Sequence, residues 1–152
     1  MAQNHYIGQP LPDEFGLKTR AFWAIEPIEK AIVFIHGFAG GTRSTWDDFP
    51  MLLLPELRCA GHDIFYFGYE GITVQADNSV VDFFKFMNTL FEKPSNLLQY
   101  AHENRKDKPI HYGEVVIAAH SLGALMTRRC VLLAIDQNKS WVGSVKDRKS
   151  VV

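Results

Sequence analysis

The clearest pattern along the chain is Ala31-Ile32-Val33-Phe34-Ile35, a continuously apolar, largely β-branched run closed by His36-Gly37. Such a run predicts a strand buried on both faces, as in a parallel sheet. His62 to Tyr69 and Glu114 to Ala119 read as two further strands of the same sheet, the last again continuously apolar from Val115. Between them the period changes. Val80, Phe83, Phe84, Met87 and Phe91 fall at i, i+3, i+4 and i+7 spacing, which predicts a helix over Ser79 to Phe91. Ser79 with Asp82 three residues on looks like a capping-box start. Leu122 to Asp136 is rich in helix formers and apolar almost all round, which predicts a central rather than peripheral helix.

The intervening segments are less regular. Residues 1–18 hold Gly8, Pro10, Pro12 and Gly16 and read as extended or irregular, followed by a strand over Thr19 to Ile25 and a turn at Pro27 to Lys30. A Gly-rich loop runs from Gly37 to Gly41. Pro50 to Cys59 suggests a short helix interrupted by Pro55 and ended by Gly61. Lys93 to Gly113 is polar and contains Pro94 and Pro109, with room for a loose helix. Strand and helix alternate along the chain, so the expected class is α/β, a parallel sheet covered by helices.

Composition narrows the functional classes. The 152 residues are enough for one domain with a core. With 47% hydrophobic and 22% charged residues the chain is not of the disordered type. A formal charge of −1 gives no global pull toward nucleic acid or an anionic membrane. The local exception is the end, where Arg128, Arg129, Lys139, Lys146, Arg148 and Lys149 face only Asp136 and Asp147. Cys59 and Cys130, each between an arginine and an apolar residue, read as buried free thiols rather than a disulfide framework. No stretch is long enough for an integral membrane span, and the N-terminus has no basic-then-apolar leader. These features predict a cytoplasmic protein. Nothing in the pattern fixes an oligomeric state.

The chemistry concentrates in Ala119-His120-Ser121-Leu122-Gly123-Ala124, between the third strand and its helix. A serine at a helix start is often no more than an N-cap. Here it is flanked, two positions either side, by Ala119 and Gly123, as a tight strand-to-helix turn requires if side chains are not to collide. The helix that follows points its positive end at the serine. A second motif, Phe34-Ile35-His36-Gly37-Phe38, ends the first strand. Its plainer reading is a Gly-rich strand-to-helix turn. Together, and in this order, the two motifs resemble the nucleophile elbow and the oxyanion-loop segment of the α/β-hydrolase family, with Ala119 in place of the usual first glycine. The resemblance spans about residues 20–136. The loop Thr42 to Pro50 with Trp46, together with Phe65 to Tyr69, resembles the lipase and serine-esterase branch.

The resemblance implies Ser121 as nucleophile, with the backbone amides of Phe38 and Leu122 as oxyanion donors. His36, Gly37, His120 and Gly123 would support them. The implied substrate is a small-molecule ester or lipid, and no cofactor or metal is implied. The family order is Ser, then Asp or Glu, then His, yet no histidine follows Ser121. The expectation is therefore a single incomplete domain, an α/β-hydrolase fold truncated after the elbow strand and helix, with residues 137–152 a basic tail of uncertain origin. His120 reads as packed beside the elbow and turned away from the serine by strand alternation, and His36 as bonded to nearby backbone. His5, His62, His102, His111, Asp63, Asp77 and Asp136 read as solvated. Two functions follow from these residues: a serine esterase or lipase missing its base and acid, or a non-catalytic fragment or pseudo-enzyme acting as an interaction module.

Other chemistries have less support. Gly40 to Ser44 lacks the Gly-Lys-Ser/Thr ending of a phosphate-binding loop, and no Gly-x-Gly-x-x-Gly occurs. The histidines and cysteines lack metal-ligand spacing. Phe83, Phe84, Phe86 and Phe91 read as core, with Phe86 and its neighbours turned toward a partner.

Overall fold

A computed structural model describes residues 6–37, 61–69, 76–106, 108 and 110–147. The Gly-rich loop beyond Gly37, the loop carrying Trp46, the Pro50 to Cys59 segment, and His5 lie outside the described residues. One six-stranded sheet organises the molecule. Its strands are β1 (Tyr6–Pro10), β2 (Arg20–Ala24), β3 (Lys30–Ile35), β4 (Asp63–Phe67), β5 (Glu114–Ala119) and β6 (Val145–Asp147). They lie side by side in the order β1-β2-β4-β3-β5-β6. The pairings β4–β3, β3–β5 and β5–β6 are parallel, and β1–β2 and β2–β4 are antiparallel.

Alternation sorts the side chains into two cores. Ala31, Val33 and Ile35 of β3, Phe65 and Phe67 of β4, and Val115, Ile117 and Ala119 of β5 point to one face. There they meet α1 (Ala76–Glu92) and α4 (Leu122–Asp136). Ile32, Phe34, Ile64 and Tyr66 form a smaller cluster on the other face. Both faces of β3 are therefore buried, which is why its run is continuously apolar. On β5 only alternate residues are buried. Two short helices, α2 (Ser95–Leu98) and α3 (Glu103–Lys106), fill the polar stretch before β5.

Several expectations need correction. Residues 6–10 form a regular strand; Pro10 is its last residue, where the missing N–H is tolerated on an edge strand. Helix α1 starts at Ala76, and Ser79 lies inside it, 2% exposed, so the capping-box start is not used. Phe86 packs in the core against Phe65 and Phe67 at 5.7 and 5.4 Å, rather than facing a partner. Helix α4 has the expected limits, but Leu125, Leu132 and Ile135 are more than half exposed, so it is not enclosed on all sides. Beyond Asp136, a 3-10 turn over Ser140–Ser144 buries Trp141 against Phe91, and β6 extends the sheet beside β5.

His62 and Asp63 are buried rather than solvated. The Asp63 carboxylate accepts from Arg105 Nη1 and Nη2 at 3.0 and 2.8 Å, from Tyr112 Oη at 2.6 Å, and from the Ala24 N–H at 2.9 Å. Arg105 Nη1 also donates to the Ala24 carbonyl at 2.7 Å. Burial opposes the guanidinium charge, but the Asp63 carboxylate outweighs it and holds the Arg105 pKa up. Cys130 is a buried free thiol, pushed up to about 12 by burial and so held in its unreactive form.

Candidate active site

The chain reverses its direction of travel across the sheet at its centre. From β3 the chain passes to β4 on one side, and from β5 it passes through α4 to β6 on the other. The carboxyl ends of β3 and β5 thus flank a topological switch point, the usual ligand position in open parallel sheets. His36-Gly37 ends β3 there, and His120-Ser121 ends β5.

Ser121 has φ 53° and ψ −116°, a conformation normally left to glycine. Its side chain makes no capping hydrogen bond and is exposed. The turn is closed by the Gly123 and Ala124 N–H groups, which donate to the His120 and Ser121 carbonyls at 2.9 Å each. The His120 N–H ties the turn to β3 by donating to the Ile35 carbonyl at 3.0 Å. The N–H of Leu122, first in α4, is one of the amides that a helix start leaves without an intrahelical acceptor.

The small residues have measurable reasons. A Cβ at Gly123 would lie 2.7 Å from the His36 carbonyl oxygen and 2.9 Å from that of Ile35. A Cβ at Gly37 would lie 3.0 Å from Ser121 Cβ and 2.9 Å from His120 Nδ1. The two motifs therefore meet backbone to backbone. Ala119 is buried beneath them.

His36 is fully buried. Its Nδ1 lies 3.0 Å from the Gly37 carbonyl, and the Tyr69 N–H donates to Nε2 at 3.4 Å. Burial lowers its pKa, so it is held neutral. Both ring nitrogens are engaged with backbone, which leaves it no free nitrogen to act as a base. His120 is half-buried against Gly37, and its Nδ1 has no hydrogen-bond partner among the described residues. Phe38, the other expected oxyanion donor, lies outside the described residues. Tyr69 is a neighbour that the sequence reading did not single out. Its only advance signal was its place at the end of an aromatic strand.

The remaining described histidines sit at the opposite end of the sheet. His62 precedes β4, His111 precedes β5, and His102 lies 3.4 Å from the Ala24 carbonyl. Asp63 begins β4 at the same end. A six-residue strand is roughly 20 Å long, so none of these groups reaches Ser121. Among the described residues no cluster of three His, Cys, Asp or Glu is arranged to hold a metal ion. Nor is any described helix long and apolar enough to cross a membrane.

No protein-family model and no curated protein matches the sequence. Solved structures do match in fold. Carboxyl esterase 2 of the mycorrhizal fungus Tuber melanosporum superposes with a TM-score of 0.64 at 13% identity, over 91% of this chain and 43% of that one. Esterase B of Lactobacillus rhamnosis gives 0.53 at 12% identity, over 99% and 48%. A putative carboxylesterase of Lactobacillus plantarum gives 0.51 at 17%, over 97% and 59%. The chain spans about half the length of these enzymes. Likeness at such identities is likeness of fold, and the chain has a partial α/β-hydrolase fold, with His36-Gly37 and His120-Ser121 facing each other across its switch point.

Proposed function

We propose that this chain forms the nucleophile side of a serine esterase site acting on carboxylic esters, lipids or other acylated small molecules. Ser121 is the nucleophile, and the amides of Leu122 and Phe38 receive the oxyanion. His36, Gly37, His120 and Gly123 are the supporting residues. Residues 1–152 form a single incomplete α/β-hydrolase domain. The observation that carries the reading is the backbone of Ser121: a non-glycine residue in a glycine conformation, exposed at the switch point, with no capping bond to account for it. Strain of this kind persists where surrounding structure over-determines it, commonly at active sites.

No histidine follows Ser121 in the sequence, where the family order puts the base, so turnover by this chain is expected to be slow. Without its base a serine hydrolase keeps roughly 10³–10⁴-fold catalysis over water, from the oxyanion hole and binding. The test is the rate at which a fluorophosphonate labels Ser121, mapped by mass spectrometry and compared with the same chain unfolded in urea. Faster labelling in the folded chain, lost in Ser121→Ala, is expected. Equal rates would refute the reading.

A second reading, a non-catalytic interaction module, draws on the exposed Leu125, Leu132 and Ile135. It predicts that Ser121 is inert while the chain melts cooperatively and binds a partner through α4.

A further inference from the structure

Helix α4 buries Gly123, Met126, Cys130 and Ala134 on the side it turns to the core. Its opposite side carries Leu125, Arg128, Arg129, Leu132, Ile135 and Asp136, all exposed. These positions recur at intervals of three and four, the spacing of a stripe along one side of a helix. Leu132, near the middle, is 64% exposed, and Leu125 and Ile135 are 56% and 53% exposed. Three large apolar side chains on one stripe form a patch rather than scattered exposure, and such patches mark interaction surfaces.

The charges on the stripe point to the partner. Arg128 lies four residues before Leu132 and Asp136 four residues after it. The two are about 12 Å apart along the helix, too far to pair with each other. Among the described residues neither has an ion-pair partner. A two-fold axis at Leu132 makes this face complementary to itself. Under that axis a second α4 runs antiparallel to the first, and Leu132 of one copy meets Leu132 of the other. Arg128 of each copy stands level with Asp136 of the other, once at each end of the contact. At the usual interaxial distance of roughly 8–10 Å, side chains level with each other are within reach of an ion pair. Ile135 of each copy lies along the aliphatic stem of the other's Arg128. A parallel pair would instead set Arg128 against Arg128 and Asp136 against Asp136. We propose that the outer face of α4 binds a second copy of this chain in an antiparallel, isologous dimer. The inference stands whether or not Ser121 is reactive. A helix of 15 residues is only about 22 Å long, so this face alone buries well under the ~800 Å² per partner of standard interfaces. The dimer is therefore weak, dissociating on the order of 100 µM.

Sedimentation velocity of the full chain, from about 5 to 500 µM, tests this. Wild type is expected to pass from monomer to dimer and no further. Leu132→Asp should abolish the dimer, and its side chain is too exposed for the fold to depend on it. Val81→Asp changes an exposed apolar residue of α1 and should leave the affinity within about twofold of wild type. Arg128→Asp and Asp136→Arg each set like charges together at both ends and should weaken the dimer about tenfold. Both changes in one chain restore the pairs with their signs exchanged and should return the affinity to within about threefold of wild type. The two single variants, each weak alone, should form a heterodimer of similar strength when mixed. A wild-type chain that stays monomeric, or grows beyond a dimer, would overturn the inference. So would a dimer that survives Leu132→Asp, one weakened as much by Val81→Asp, or a double variant no stronger than the single ones.

Discussion

Replacing Ser121 by glycine should stabilise the protein relative to replacing it by alanine. Neither variant has the hydroxyl, so their difference isolates the backbone. At φ 53° and ψ −116° a residue with a Cβ carries strain of about 1–3 kcal/mol, and alanine keeps that strain while glycine does not. Opposing this, glycine gives the unfolded chain more freedom, a cost of about 0.5–1 kcal/mol. The serine side chain is exposed and makes no capping bond, so neither variant loses a buried contact or a cap. The net expectation is that Ser121→Gly exceeds Ser121→Ala by about 1 kcal/mol, or about 2–4 °C in Tm for a chain of this size. Urea unfolding measures it, provided the two variants share one m value so that the midpoint shift reports stability. A glycine variant no more stable than alanine would mean that the turn at 121 is relaxed and that Ser121 holds no strain pointing to a function.

Three further outcomes follow from the geometry. Arg105→Met should lower stability by about 3–5 kcal/mol in urea unfolding, because it leaves the Asp63 carboxylate buried without its counter-charge; a loss under 1 kcal/mol would show that the network adds little. Gly123→Ala forces a Cβ against two backbone oxygens and should cost about 1–3 kcal/mol while slowing Ser121 labelling, whereas unchanged labelling would detach that glycine from the site. Burial lowers the pKa of His36, and burial, then Lys30, lowers that of His62. Their folded values lie below the unfolded value near 6.5, so the unfolded chain takes up protons first. Stability should be level above about pH 6.5 and fall as pH drops through the folded values; a rise on acidification would contradict it.

What the sequence made legible was local. The limits of α4 and β5, the elbow glycine and the His-Gly end of β3 all lie in short windows whose steric needs are set by adjacent residues. What it concealed depends on distant partners. Asp63 looks like a solvated strand end because its ligands, Arg105 and Tyr112, come 42 and 49 residues later. Tyr69 is one aromatic among several until the fold sets it against a histidine 33 residues earlier. Strand β1 was obscured because Gly8 and Pro10 count against a strand, and only its edge position makes them acceptable. Apolar composition alone likewise could not say that the Leu125–Leu132–Ile135 side of α4 faces outward.

Among the described residues the elbow is held from the β3 side. Ala119 pairs with Ile35 in the β3–β5 ladder, the His120 N–H donates to the Ile35 carbonyl, and Gly123 lies against the carbonyls of Ile35 and His36. Every one of these fasteners leads to β3. Among the described residues strand β6 pairs with β5 at Val115, Val116 and Ile117, two or more residues short of the turn. Weakening β6 should therefore lower stability without disturbing the serine. Lys146→Pro, at an exposed residue paired with Val116, denies β6 a backbone donor. It should reduce the urea midpoint yet leave the Ser121 labelling rate within about twofold, since sites with no shared partners act nearly independently. A tenfold loss of labelling would mean that the turn is braced through the whole sheet, and that β3 alone does not set its geometry.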